Sequence, residues 1–509
     1  MEQLDQVHVV SDLHLGGAPG HQIFNQGALL AALIDYLARR EAKGKVGLVL
    51  DGDIVDFLAA PDAAYFDPQN AVRKLEAIMA DPAFAPVFKA LKGFVGVPRR
   101  VLVLVLGNHD VELALPEVQE RLFQELCGDD EAARGRVRVA MDGTGYACEV
   151  GGRKVLCVHG NEADPWNVVD QAALRKLIRA RNFGGALPEW EPNAGTRLVV
   201  DVMNGVKRDF PMVDLLKPET KPVTSVILAL DPSRIGAMKR FAPIAARLAF
   251  DEMRVTRGYL SAGAGAGAGT GAGAGAGAGA EAASAPPPPL SEDEALAALV
   301  GVDRKRLGRP AQRGESLLAE VEKLYVNGED PVKLSGTGAT LGWGGIAWNA
   351  IFGKDPQAEL RASLTEWLKG DTTFDINTPD DTFTHLDEHV GPSTYFIIAG
   401  HTHLARALPR QRAQGVYFNS GTWIRLIQLT REVLGDESLF ASIFAAFKAG
   451  TLEALDALSG LVKLAPTVVS IEATSSAVIS ELRTASLDTG SLTLTALPGG
   501  SFSAPRGAG

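Results

Sequence analysis

An α/β fold split by a long insertion is what the sequence predicts, and three observations carry that reading. Short apolar runs alternate with helical stretches over the first 160 residues. The β-rich pattern returns from Tyr395 onward. Between them lies chain of a different character, with its own Gly-Ala and Pro linker. Strands alternating with helices build layered α/β domains.

The elements follow in order. Residues 7–11, 46–50, 101–106 and 155–158 are apolar runs bounded by Gly and Asp, and they suit strands buried on both faces of a sheet. Residues 28–40 carry apolar side chains at helical spacing. Residues 167–258 read as mostly helical. Residues 262–280 alternate Gly and Ala and run into a Pro tract that ends near 290, a composition that favours an extended linker. Ser291 and Glu294 form a capping box, and helical periodicity continues to about 369. Strand-like segments return at 395–400, 415–423, 467–473 and 491–496. The expected organisation is therefore a core in two parts, 1–165 and 391–500, around an insertion at 166–390, with a frayed tail at 501–509.

Composition excludes several classes. The chain has 509 residues, with 50 basic and 61 acidic side chains and a net charge of −11. Apolar residues make up 46% and charged residues 22%, which is enough apolar chain to bury a core. The acidic balance argues against non-specific binding to nucleic-acid phosphates. Three irregularly spaced cysteines, Cys127, Cys148 and Cys157, form neither a disulfide framework nor a Cys zinc site. Cys148 and Cys157 flank a predicted hairpin at Gly151-Gly152. No secretory leader and no apolar stretch of about 18 residues is visible, so a cytoplasmic location without a membrane span is expected.

Five short blocks follow the predicted strands: Asp12-Leu-His14, Gly52-Asp53-Ile-Val-Asp56, Gly107-Asn108-His109-Asp110, His159-Gly160 and Gly400-His401-Thr402-His403. Ligands of α/β sheets gather at the carboxyl ends of strands. Five of the nine histidines lie in these blocks. Carboxylates, imidazoles and a carboxamide suit divalent Mn, Fe, Zn or Co. Asp12, His14, Asp53, Asn108, His159, His401 and His403 are too many donors for one ion. Sharing one carboxylate gives each of two ions four protein ligands, the layout of a two-metal hydrolase.

In type and order these blocks resemble the calcineurin-like metallophosphoesterase superfamily. The resemblance implies a four-layer α/β/β/α sandwich. It implies one metal held by Asp12, His14, Asp53 and His403, and a second by Asp53, Asn108, His159 and His401. It further implies hydrolysis of a phosphomonoester, phosphodiester or pyrophosphate bond by a hydroxide bridging the two ions. His109 would then be a catalytic acid beside the leaving group. Asp56 and Asp110 are both candidates to orient it, and the resemblance favours Asp56. On that basis Asp56→Asn is expected to lower turnover more than metal content.

Phe57 stands where protein phosphatases of the superfamily continue with Arg-Gly, which argues against a phosphoprotein substrate. The blocks are similar to a bacterial branch that includes UDP-2,3-diacylglucosamine pyrophosphatases, but Asn161 replaces the Asp common there. The insertion is also longer, with 242 positions between His159 and His401. A phosphorylated small molecule, a nucleotide or a lipid-linked compound is the expected substrate. Other functions are weighed against this one. Residues 343–352, with Trp343, Trp348 and Phe352, suit core packing first and a lipid pocket or peripheral membrane contact second. Residues 296–307 have helix-turn-helix spacing with Arg304-Lys305-Arg306, yet Pro310 and the net charge make a nucleic-acid partner the weaker reading. The basic stretch 239–250 reads as a solvated helix face. A non-catalytic adaptor on the same fold would be expected to have lost ligands. His21 is a candidate substrate contact, and residues 419–423 read as structural.

Overall fold

Every residue of Val46–Asp51 and Arg100–Val105 is buried, as strands covered on both faces require. In the computed structural model they form β3 and β4, beside β2 (Gln6–Val10) and β5 (Val137–Ala140), all parallel. Three antiparallel strands extend this sheet beyond β2: β14 (Thr467–Ala473), β15 (Ala477–Asp488) and β16 (Ser491–Pro505). The order is β16-β15-β14-β2-β3-β4-β5. The structure describes residues 1–60, 62–217, 226, 229–230 and 355–507.

A second, six-stranded sheet has the order β1-β6-β7-β9-β11-β10. Its strands are β1 (Glu2–Leu4), β6 (Tyr146–Val150), β7 (Arg153–Cys157), β9 (Thr394–Ala399), β10 (Arg406–Pro409) and β11 (Val416–Asn419). The β6–β7 hairpin turns at Gly151-Gly152 and pairs Cys148 with Val155, and both of its cysteines are buried, free and apolar in surroundings. The two halves of the chain meet here, since β7 pairs in parallel with β9.

Alternating side chains explain the layers. Val7, Val9, Val49, Val101 and Val103 from one sheet pack on Cys148, Val155, Phe396, Ile398 and Phe418 from the other. The intervening residues of the first sheet, Val10, Leu48, Leu50, Leu102 and Leu104, face the helices α1 (Gly27–Arg39), α2 (Ala71–Ala80), α3 (Ala85–Gly96) and α4 (Pro116–Cys127). On the outer face of the second sheet, Ile397, Ala399 and Tyr417 pack on Phe383 and Leu386 of the helix Asp381–His389. This is the four-layer α/β/β/α sandwich. Each fully buried Val, Leu, Ile or Phe contributes about 1.5–3 kcal/mol, so the three apolar layers fix the register of both sheets. A small third sheet, β13 (Val462–Lys463), β12 (Leu426–Gln428) and β8 (Leu216–Lys217), lies outside the sandwich.

By compactness the chain divides into two units, Met1–Glu219 with Trp367–Gly509, and Thr220–Glu366. Of the second unit, the helix Pro356–Trp367 buries Leu360 and Leu364. The expectations for 239–250, 262–290, 291–310 and 343–352 fall outside the described residues. One expectation fails. Residues 501–505 are not frayed, because β16 runs to Pro505 and pairs Phe502 with Ser480 and Ala504 with Val478. Cross-strand pairing and the buried Ala504 outweigh the Gly, Ser and Pro composition. Among the described residues, no helix is long and apolar enough to cross a membrane.

Candidate metal centre

The five blocks leave the carboxyl ends of β2, β3, β4, β7 and β9, so strands of both sheets deliver side chains to one edge of the sandwich. Backbone hydrogen bonds lock the blocks together. Leu13 N and His14 N both donate to Asp53 O at 2.9 Å, and Asp12 N donates to Gly52 O at 3.1 Å. Gly400 N donates to His159 O at 2.8 Å, which joins the second and first halves of the core. His401 N donates to both Asp12 carboxylate oxygens, at 3.1 and 3.0 Å.

The local backbone is strained where the ligands sit. Among the described residues, seven non-glycine residues have positive φ, and five of them are Asp12, His14, Asp53, His401 and His403, at φ 46–69°. Non-glycine residues in the left-handed region cost on the order of 1 kcal/mol or more and persist where surroundings over-determine them, typically at functional sites. Two glycines make room. A Cβ on Gly107 would collide with the Asp53 carboxylate, and one on Gly400 with Ser11 and Asp12.

Asp12, His14, Asp53 and His403 converge: one ligand atom from each lies within 4.8 Å of the others. His14 Nε2 is 3.0 Å from His403 Nε2 and 3.6 Å from Asp53 Oδ2, and His403 Nε2 is 3.3 Å from Asp12 Oδ1. Two imidazole nitrogens and two carboxylates facing one another are a donor set for a cation. Around the same Asp53, His159 Nε2 lies 3.2 Å from Oδ2 without hydrogen-bond geometry, and buried Asn108 Oδ1 has no partner. Buried polar atoms are normally satisfied, so unpartnered His159 Nε2 and Asn108 Oδ1 have the donor chemistry that a second ion would take. His159 is oriented by Nδ1 donating to Asp51 O at 2.8 Å. His401 stands further out, with Nε2 on Asp164 Oδ2 at 2.9 Å and its ring centroid 5.5 Å from that of His159.

Burial works against charged carboxylates here, yet the imidazoles prevail. His159, His109 and His14 hold Asp53 well below the ordinary carboxylate range, and His403 lowers Asp12. Burial also opposes a charged His109, but Asp56 and Asp53 outweigh it and raise its pKa to about 9. For His403, burial first and then Lys217 lower the pKa to about 4.

Asp56 caps the 3-10 turn Phe57–Ala59 through Leu58 N and Ala59 N. Its other contacts are His109 Nδ1 at 3.3 Å and His14 Nδ1 at 3.2 Å. The carboxylate therefore touches the imidazole it was expected to orient and one candidate ligand as well. Asp110 does something else, since its oxygens accept from Gly107 N and Ile54 N, both at 2.7 Å, and tie two blocks together. His21 turns its Nε2 to Arg208 O at 3.2 Å. Residues 419–423 brace the site: Asn419 Nδ2 donates to Gly400 O, and Thr422 Oγ1 donates to Asp12 O at 2.7 Å.

Sequence reasoning missed Asp164 and Lys217. The signal for Asp164 was a carboxylate five residues beyond His159. For Lys217, a buried residue of β8, the sequence offered no signal. No curated protein matches the chain. Residues 6–209 match the family model of the calcineurin-like phosphoesterases, a span that covers the first four blocks and ends before β9. Over that span, and in a sandwich whose two sheets bring all five blocks to one edge, the chain is similar to the calcineurin-like phosphoesterases.

Proposed function

We propose that the chain is a binuclear metallophosphoesterase whose two divalent ions share Asp53. Asp12, His14, Asp53 and His403 hold one ion, and Asp53, Asn108, His159 and His401 hold the other. The observation that carries this reading is the convergence of the first set around a carboxylate that also faces His159. Two cations there supply Lewis-acid charge and acidify water. Mn, Fe, Zn and Co all suit the donors.

The chain's own groups supply the rest. The Asp56 carboxylate on its Nδ1 favours a protonated His109, whose side chain is 18% exposed, so it faces an incoming substrate as a hydrogen-bond donor. It donates a hydrogen bond to a phosphoryl oxygen and passes a proton to the leaving oxygen. Asp56 holds that ring through Nδ1 and leaves Nε2 for the substrate. The substrate in this reading is a phosphorylated small molecule, a nucleotide or a lipid-linked pyrophosphate, and residues 166–390, inserted between the two parts of the core, select among them. The test is a panel of an aryl phosphomonoester, an aryl phosphodiester and a nucleoside-diphosphate sugar with Mn-loaded full-length chain. Turnover of at least one class that chelation abolishes is expected. No turnover of any class by chain loaded with two ions would contradict the proposal.

A further inference from the structure

The stretch after His159 builds a specific contact with the fifth block. Gly160, at φ 107°, opens the 3-10 turn Asn161–Ala163. Gly160 N donates to Glu162 Oε2 at 2.9 Å, Ala163 N to Gly160 O at 3.0 Å and Asp164 N to Asn161 O at 3.1 Å. Beyond the turn, the Asp164 carboxylate is held from its own side. Oδ1 accepts from Trp166 N at 2.9 Å, and Oδ2 accepts from Asn167 Nδ2 at 2.6 Å. Asn167 N and Val168 N both donate to Asp164 O at 3.0 Å.

So fixed, Oδ2 also meets His401 Nε2 at 2.9 Å, across 237 residues of sequence. The His401 side chain is 11% exposed and that of Asp164 30%, so the contact is sheltered. The backbone of His401 is pinned independently by Asp12 and held at φ 69°. A ring whose backbone is fixed and whose Nε2 donates outward has Nδ1 left for a cation. A carboxylate on the far nitrogen fixes the tautomer and makes the imidazole a better ligand.

We infer that Asp164 is the positioning residue of the second metal set, fixing the His401 ring so that Nδ1 serves the ion shared with Asp53. The inference rests on the two-ion reading above and deepens it. It also gives the 3-10 turn a task, which is to tie the fourth block to the fifth.

Equilibrium dialysis of the full chain against graded Mn²⁺, followed by metal analysis, tests it, with electron paramagnetic resonance reporting whether the bound ions are coupled. The wild-type chain is expected to bind two coupled ions. Asp164→Ala is expected to keep the first ion at wild-type affinity and to bind the second about 10–100-fold more weakly, giving an uncoupled signal at intermediate Mn²⁺. Asp164→Asn keeps an acceptor oxygen and is expected to recover part of that loss. If Asp164→Ala does not fold, Asp164→Asn against wild type carries the comparison. Two ions at wild-type affinity in the variants overturn the inference, and so does an equal loss of both ions. A wild-type chain that binds fewer than two ions overturns the two-ion reading first, before any variant is made.

Discussion

The two proposed ligand sets are built differently. Asp12, His14, Asp53 and His403 face one another across a few ångströms, and the bonds that hold them run directly between the blocks. The second set shares Asp53, but its other members depend on supports outside the cluster: His159 on Asp51 O, His401 on Asp164, and Asn108 with its oxygen unpartnered. A set whose atoms already converge loses little entropy when an ion arrives, whereas one that relies on outlying supports loosens when any support is lost. The first ion should therefore bind more tightly than the second, and single substitutions should separate them.

Asp53→Ala breaks the comparison outright because both sets lose their common carboxylate. Metal analysis should find both ions lost, with hydrolysis reduced at least about 10³-fold; one retained ion would show that Asp53 is not shared. His14→Ala and His159→Ala sharpen it. His159→Ala should keep one ion, while His14→Ala should weaken the first by about 10–100-fold or more. His109 lies edge-on to His14, with 4.8 Å between ring centroids, but belongs to neither proposed set, so His109→Ala tests its role apart from the ions. It should retain both ions and lower kcat about 10²–10⁴-fold, and loss of metal in that variant would make His109 a ligand. Asp56 touches both His109 and His14, so turnover and the first ion should weaken together in Asp56→Asn.

A buried acid away from the imidazoles gives the smallest effect. Glu112 is enclosed beside Asp67 and Lys74, and burial, against its backbone hydrogen bonds, raises its pKa from 4.5 to about 7. Between those values folded Glu112 keeps a proton that the unfolded chain has lost, so stability falls as pH rises from 4.5 to about 7, by on the order of 3 kcal/mol. Glu112→Gln removes that slope. Its thermal midpoint should change less with pH over this interval and exceed that of wild type at pH 8. Parallel midpoint curves would refute the raised pKa.

Much of the fold and site was legible because the signals are contiguous. Runs such as 46–50 and 101–106, short, rich in β-branched Val and bounded by Gly or Asp, suit strands covered on both sides, and each block carries its donors within a few residues of the strand end. What was hidden depends on tertiary neighbours. The 501–505 segment is a strand only because β15 lies beside it, and its own composition says otherwise. Asp164 looks like any turn carboxylate until the 3-10 turn aims it at a histidine 237 residues away. The double role of Asp56 was hidden for the same reason, since His14 and His109 reach its two carboxylate oxygens only in the folded chain.

The most direct test of the shared-carboxylate claim is anomalous diffraction from crystals of the full chain grown with Mn²⁺. Two peaks about 3.5–4 Å apart, both within ligand distance of Asp53, are the predicted result. A single peak, or two peaks of which one lies away from Asp53, would contradict it.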